Sequence, residues 1–147
     1  MWRRPSRKSG AVLVVLDTNV IVSGAMWRGN PAIILNAWAD NHFEAVASPE
    51  ILEEYEESLL AVGKKVGRLE FAERWSLVLR ERIKMVEPVR KVELCRDPDD
   101  DKFLSCALAA DALFLVSGDK DLGALERIGT TLIVTPGQFV REHLKKT

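Results

Sequence analysis

At 147 residues, 47% hydrophobic and 29% charged, the chain is long enough for one domain with a buried core and too ordinary in composition for a fibrous or disordered protein. Its formal net charge of −1 conceals a split, because Arg3, Arg4, Arg7 and Lys8 place +4 on the first ten residues and leave −5 on the rest. An acidic body excludes nucleic-acid binding through a broad basic face, unless the acids are gathered around a cation that screens them.

Residues 1–10 read as a basic, disordered tail and residues 11–147 as a single domain. The tail lacks the apolar core of a signal peptide, and runs such as "ALFLV" are far too short to span a bilayer, so a soluble, cytoplasmic protein without membrane association is expected. Cys95 and Cys106 form no CxxC pattern, and the histidines are His42 and His143, which removes a disulfide scaffold and a zinc site. Cys106 follows an apolar helical rhythm and reads as a packed core thiol.

In chain order, "AVLVVLD" is a continuous Val/Leu run of the kind buried on both faces of a parallel sheet, ending in Asp17. "GNPAIILNAWADN" predicts a helix with Asn30 as N-cap and Pro31 at its first position. "FEAVA" predicts a second strand, and "SPEILEEYEESLLAV" a helix capped by Ser48 with Pro49 behind it. An amphipathic helix carrying Phe71, Trp75, Val78 and Leu79 is expected over residues 69–84, followed by a short extended segment in "KMVEPV". "DPDDDKFLSCALAADA" predicts a helix with Asp97 as N-cap and Pro98 at the first position. "LFLVSGD" repeats the first strand's pattern and ends in Asp119; "TLIVTP" repeats it again, with Thr135 and Pro136 opening a last helix. Strands alternating with helices imply an α/β fold with a mostly parallel sheet, whose ligands bind outside the strands' carboxyl ends, where Asp17 and Asp119 fall.

Helical phase narrows the acids. Ile51, Leu52, Tyr55 and Leu59 define a buried stripe that Glu54 borders and Glu53 opposes, although a wholly solvated glutamate face fits the periodicity as well. Taking Leu104 and Leu108 as the core line places Asp101 on the core side, while Asp97 and Asp100 are explained by capping and the helix dipole, and Asp99 is exposed. Asp17, Asp119 and Asp121 each fit a turn or N-cap role when taken singly. Four acids at one end of a sheet would repel strongly in a dry pocket, and oxygen ligands without His or Cys suit Mg²⁺ or Mn²⁺. Lys102 and Lys120 read as solvated helix-end lysines, with phosphate contact as the alternative.

Together "VVLDTNVIVSGAMWRGNP", "SPEILEEYEESL", "RDPDDDKFLSCALAADALFLVSGDKDL" and "TLIVTPGQFV" resemble the PIN-domain proteins, and among them the VapC-like toxin components of toxin–antitoxin systems, over residues 12–144. The resemblance implies a PIN-like three-layer α/β fold, with a mostly parallel central sheet flanked by helices, and a Mg²⁺- or Mn²⁺-dependent ribonuclease. Position by position it assigns catalysis and metal binding to Asp17, Glu54, Asp101 and Asp119. Thr18, Asn19 and Ser117 match supporting polar residues, Asp121 is an auxiliary acid, and Glu53 and Asp100 are neighbouring alternatives. It also implies an RNA substrate cut to 5′-phosphate and 3′-hydroxyl ends, a small antitoxin partner and a homodimer, with Trp27, Trp38 and Trp75 as candidate surfaces and core packing the better reading for Trp38 and Trp75. The competing function is a PIN fold that binds RNA or a partner protein without cutting. A haloacid-dehalogenase-like phosphatase would need a second aspartate where Asn19 stands, and a receiver domain an aspartate where "FEAVASPE" offers Glu50.

Overall fold

The computed structural model describes residues 12–88, 93–94 and 97–144; the expected basic tail and Cys95 lie outside the described residues. Six strands form one sheet: β1 (Leu13–Leu16), β2 (Glu44–Ala47), β3 (Lys84–Met85), β4 (Phe114–Val116), β5 (Arg127–Ile128) and β6 (Thr131–Val134). Their order across the sheet is β3-β2-β1-β4-β6-β5, and every neighbouring pair is parallel except β5 with β6. The chain runs outward from β1 through β2 to β3, then returns to the other side of β1 as β4. That reversal opens a crevice at the carboxyl ends of β1 and β4, the place where sheets of this kind hold ligands.

The apolar runs form strands because both faces are covered: Val14, Val15, Leu16, Leu115 and Val116 have no exposed surface. Flanking helices supply the cover. They are α1 (Thr18–Met26), α2 (Asn30–Ala39), α3 (Pro49–Val66), α4 (Leu69–Arg82), α5 (Asp101–Ala110), α6 (Lys120–Gly123) and α7 (Pro136–Gln138), the last continuing as a π-helix over Phe139–Leu144. Cys106 is fully buried, as its rhythm predicts.

Several local expectations change. Helix α1 was not foreseen, since "TNVIV" is β-branched and Val20, Ile21, Val22, Ala25 and Met26 are all buried, leaving no polar face to mark a helical period. Gly24 permits its contact with α2, because a Cβ there would stand 2.6 Å from the Pro31 carbonyl oxygen. The N-cap of α2 is Gly29 rather than Asn30, with no side-chain capping bond. In α4 the buried residues are Ala72, Ser76 and Leu79, while Trp75 and Val78 are half-buried and Phe71 is exposed. The face is set by close approach to α3, where a Cβ on Gly63 would meet that of Ala72 at 2.8 Å. Trp38 is buried and Trp27 is exposed.

Other caps form as read. Ser48 Oγ accepts the Ile51 N–H at 3.2 Å, and Thr135 and Gln138 make a reciprocal capping box. Among the described residues no helix is long and apolar enough to cross a membrane.

Candidate active site

Asp17 follows the last residue of β1 and caps α1, so strand and helix fix it between them. It is only 7% exposed. Its Oδ2 accepts the Ser117 hydroxyl at 2.6 Å, and its Oδ1 the Asn19 N–H at 3.4 Å. Burial is the largest influence on its carboxyl and raises its pKa; the Ser117 and Asn19 bonds pull the other way, the charges of Asp119 and Glu54 push up again, and the net shift is upward.

Ser117 ties the two central strands together. Buried just past β4, it donates to Asp17 and accepts the Asp119 N–H at 2.9 Å. Asp119 in turn caps α6, its Oδ1 accepting from Asp121 N at 2.7 Å and Leu122 N at 3.2 Å. Asp121 is exposed at this corner, and Asn19, also exposed, contributes its backbone N–H.

Glu54 arrives from α3. Ile51, Tyr55, Leu59 and Gly63 recur every fourth residue as the buried stripe, and the Tyr55 hydroxyl donates to the Leu16 carbonyl at 2.6 Å, docking α3 on the end of β1. The next residue back, Glu54, is thereby held beside Asp17, with its Oε2 accepting the Thr18 hydroxyl at 2.6 Å. Glu53 is exposed. Burial pushes the Tyr55 hydroxyl well above the usual tyrosine range, with the charges of Asp17 and Glu54 adding to the shift.

The aspartate run divides differently from its sequence reading. Asp97 caps a 3₁₀ turn over Pro98–Asp100 by accepting the Asp99 N–H at 3.0 Å, and α5 proper starts at Asp101. Asp101 Oδ1 accepts the Leu94 N–H at 3.0 Å. It is Asp100 whose carboxyl is raised to about 6, by burial first and then by the charges of Asp119, Asp97, Asp17 and Asp99. Asp100 therefore shares the pocket's field with Asp17 and Asp119. The reason lies in helical phase: Leu108 is exposed, whereas Phe103, Leu104 and Ala107 are buried, and Asp100 stands three, four and seven residues before them. Reading the phase from the small residue Ala107 instead of the bulky Leu108 would have found it.

Lys102 also departs from expectation. Far from solvated, its side chain is 7% exposed and its Nζ lies 2.6 Å from Glu54 Oε1 and 2.9 Å from Asp99 Oδ1. Burial opposes its charge, but bonds to Glu54 and Asp99 outweigh that and hold its pKa above the ordinary lysine range. Lys120 is exposed.

The pocket thus brings Asp17, Glu54, Asp100 and Asp119 together, supported by Thr18 and Ser117. A donor set of carboxylate and hydroxyl oxygens, two of whose acids are raised by burial and by neighbouring carboxylates, has the chemistry that a hard divalent cation relieves. Among the described residues no three acids close on a single point, and Glu54 is turned to Thr18 and Lys102.

By architecture this is an open, mostly parallel α/β protein with an acidic crevice where its strand order reverses. The model of the PIN domain family matches residues 13–121, from β1 to Asp121 and so across every acid of the pocket, and the chain belongs to that family. PIN domains are commonly nucleases, which makes the fold one of nuclease type. The chain is also similar to the uncharacterized protein MJ1680 of Methanocaldococcus jannaschii, 29% identical over 149 residues that cover 91% of this chain and 93% of that protein. No solved structure matches it significantly.

Proposed function

We propose that this protein is a metal-dependent endoribonuclease that hydrolyses RNA phosphodiester bonds. The observation that carries the reading is the electrostatic burden on Asp17 and Asp100, two acids on different elements whose pKa values are raised by burial first and then by neighbouring acids, Asp119 among them in both cases. Asp17, Glu54, Asp100 and Asp119 would hold Mg²⁺ or Mn²⁺, with Asp100 taking the role that motif resemblance gives to Asp101. When bound, such an ion lowers the pKa of a water and neutralises charge on a phosphate. The chain's own residues orient that chemistry: Ser117 holds Asp17 and, through the Asp119 N–H, the β4 corner; Thr18 holds Glu54. Asp121 and Asn19 border the pocket as auxiliary groups. No side-chain nucleophile is required, and the family resemblance implies an attack that leaves 5′-phosphate and 3′-hydroxyl ends.

The narrower reading, a VapC-like toxin of a toxin–antitoxin pair acting in the cytoplasm, is supported by the order and spacing of the sequence motifs. Its partners would be a small antitoxin and a second copy of the chain, and among the described residues Trp27, 47% exposed, is the most accessible tryptophan.

The test is incubation of purified protein with a panel of structured and unstructured RNAs in Mg²⁺, in Mn²⁺ and in EDTA, beside the Asp17→Asn variant. Cutting that needs the metal and disappears in the variant is expected. A folded protein that binds RNA under all three conditions yet cuts nothing would replace the enzyme with a binding module.

A further inference from the structure

Both carboxylate oxygens of Glu54 are engaged: Oε2 by the Thr18 hydroxyl at 2.6 Å and Oε1 by the Lys102 ammonium at 2.6 Å. The lysine does not merely brush the glutamate in passing. Its side chain is 7% exposed, and besides the ion pair to Asp99 Oδ1 at 2.9 Å it donates to the Asp99 carbonyl at 2.7 Å, so the ammonium is held on three oxygens. Lysine is seldom buried to this degree without a charge to meet. The two partners differ, since the Glu54 side chain is 29% exposed and that of Asp99 is 72% exposed. The ammonium therefore stands between a pocket acid and one open to solvent.

We propose that Lys102 is the resident counter-cation of the acid pocket, a positioning residue that holds Glu54 through Oε1 and competes with a divalent cation for that oxygen. The inference rests on the metal-dependent reading of the site. Glu54 already adds its repulsion to the burden on Asp17, and without the ammonium nothing held on Oε1 would oppose it. With it, the pocket is tolerable when empty of metal, and metal affinity is weaker than the acids alone would give. Once Glu54 is given up, Lys102 keeps its bonds to Asp99, an acid open to solvent.

The experiment is direct titration with Mn²⁺, without RNA, followed by calorimetry and by the electron paramagnetic resonance of free Mn²⁺. The proteins compared are the wild type, Lys102→Met, Lys102→Arg, Glu54→Gln and the Glu54→Gln/Lys102→Met double variant. Lys102→Met should bind Mn²⁺ about tenfold more tightly, the effect of removing one screened opposite charge beside a ligand. Lys102→Arg, which keeps the charge, should stay near the wild type, and in the Glu54→Gln background the gain should vanish. Equal or weaker binding by Lys102→Met, or an undiminished gain without Glu54, overturns the competition while leaving the metal site standing. Wild-type protein that binds no Mn²⁺ overturns the metal reading and this inference with it. If Lys102→Met fails to fold by circular dichroism, Lys102→Gln is judged by the same criteria.

Discussion

The corners at β1 and β4 are one device used at two depths. In each, an apolar parallel strand ends near an aspartate that caps the following helix. At β1 the aspartate follows the strand at once and is 7% exposed; at β4 Ser117 and Gly118 intervene, and Asp119 is half-buried. Asp119 settles its charge on two backbone N–H groups, at 2.7 and 3.2 Å. Burial raises the pKa of Asp17, and one distant N–H at 3.4 Å with a serine hydroxyl only partly opposes the rise. Two residues of loop thus separate an acid compensated by its own helix from one that is not, and the uncompensated acid is the one placed to gain most from a cation.

The comparison is broken most severely at Asp17. Asp17→Asn should lower metal-dependent cleavage on the order of 10³-fold, as loss of a group directly managing developing charge does. Its melting temperature should stay level or rise, since asparagine puts no charge into a buried position; a collapsed fold would make Asp17 structural instead. Asp119→Asn and Asp119→Ala should both lose cleavage, but only alanine forfeits the cap, so the two should differ by about 1 kcal/mol in urea unfolding.

Asp100 and Asp101 sharpen the comparison, because they are adjacent residues facing different surroundings. Asp100→Asn should lose cleavage and Asp101→Asn should keep most of it. Asp100 also predicts a pH signature. Its folded pKa of about 6 lies above its ordinary value of 3.8, so between those values the folded protein holds a proton that the unfolded chain has released. Stability from this group is therefore highest below pH 3.8, falls as pH rises through 6 and stays lower above. Asp100→Asn should flatten that slope in metal-free thermal unfolding between pH 4.5 and 7.5; an unchanged slope would place Asp100 outside the pocket. The smallest effect belongs to Ser117→Ala. Removing a hydroxyl that lowers the Asp17 pKa should move the acid limb of the pH–rate profile upward, by about one unit or less.

Much of this was readable from the chain, for physical reasons that also mark where reading stops. Buried parallel strands announce themselves as Val/Leu runs, and Ser-Pro and Thr-Pro announce helix starts, so β1, β4, β6, α3 and α7 stand where "AVLVVL", "LFLV", "TLIV", "SPE" and "TPG" placed them. Glu54 was separable from Glu53 because a helix packed on one face keeps a clean period. Helix α1 was hidden because a helix buried nearly all round has none. After the aspartate run, Leu108 is apolar but exposed, so counting it with the core displaces the expected face by one position. Lys102 could not be recognised from spacing, since its burial depends on Glu54, forty-eight residues earlier and on another helix.

Tyr55, which joins α3 to the end of β1, is the only tyrosine in the chain. The protein therefore carries one phenolic chromophore, and it lies one residue from Glu54, with its hydroxyl shut away from water and bonded to the strand that delivers Asp17. In alkaline solution that phenol stays un-ionised for as long as the helix remains on the strand, and its ultraviolet spectrum records the moment it leaves. The scaffold under the acids has its own optical gauge, readable without substrate, metal or label.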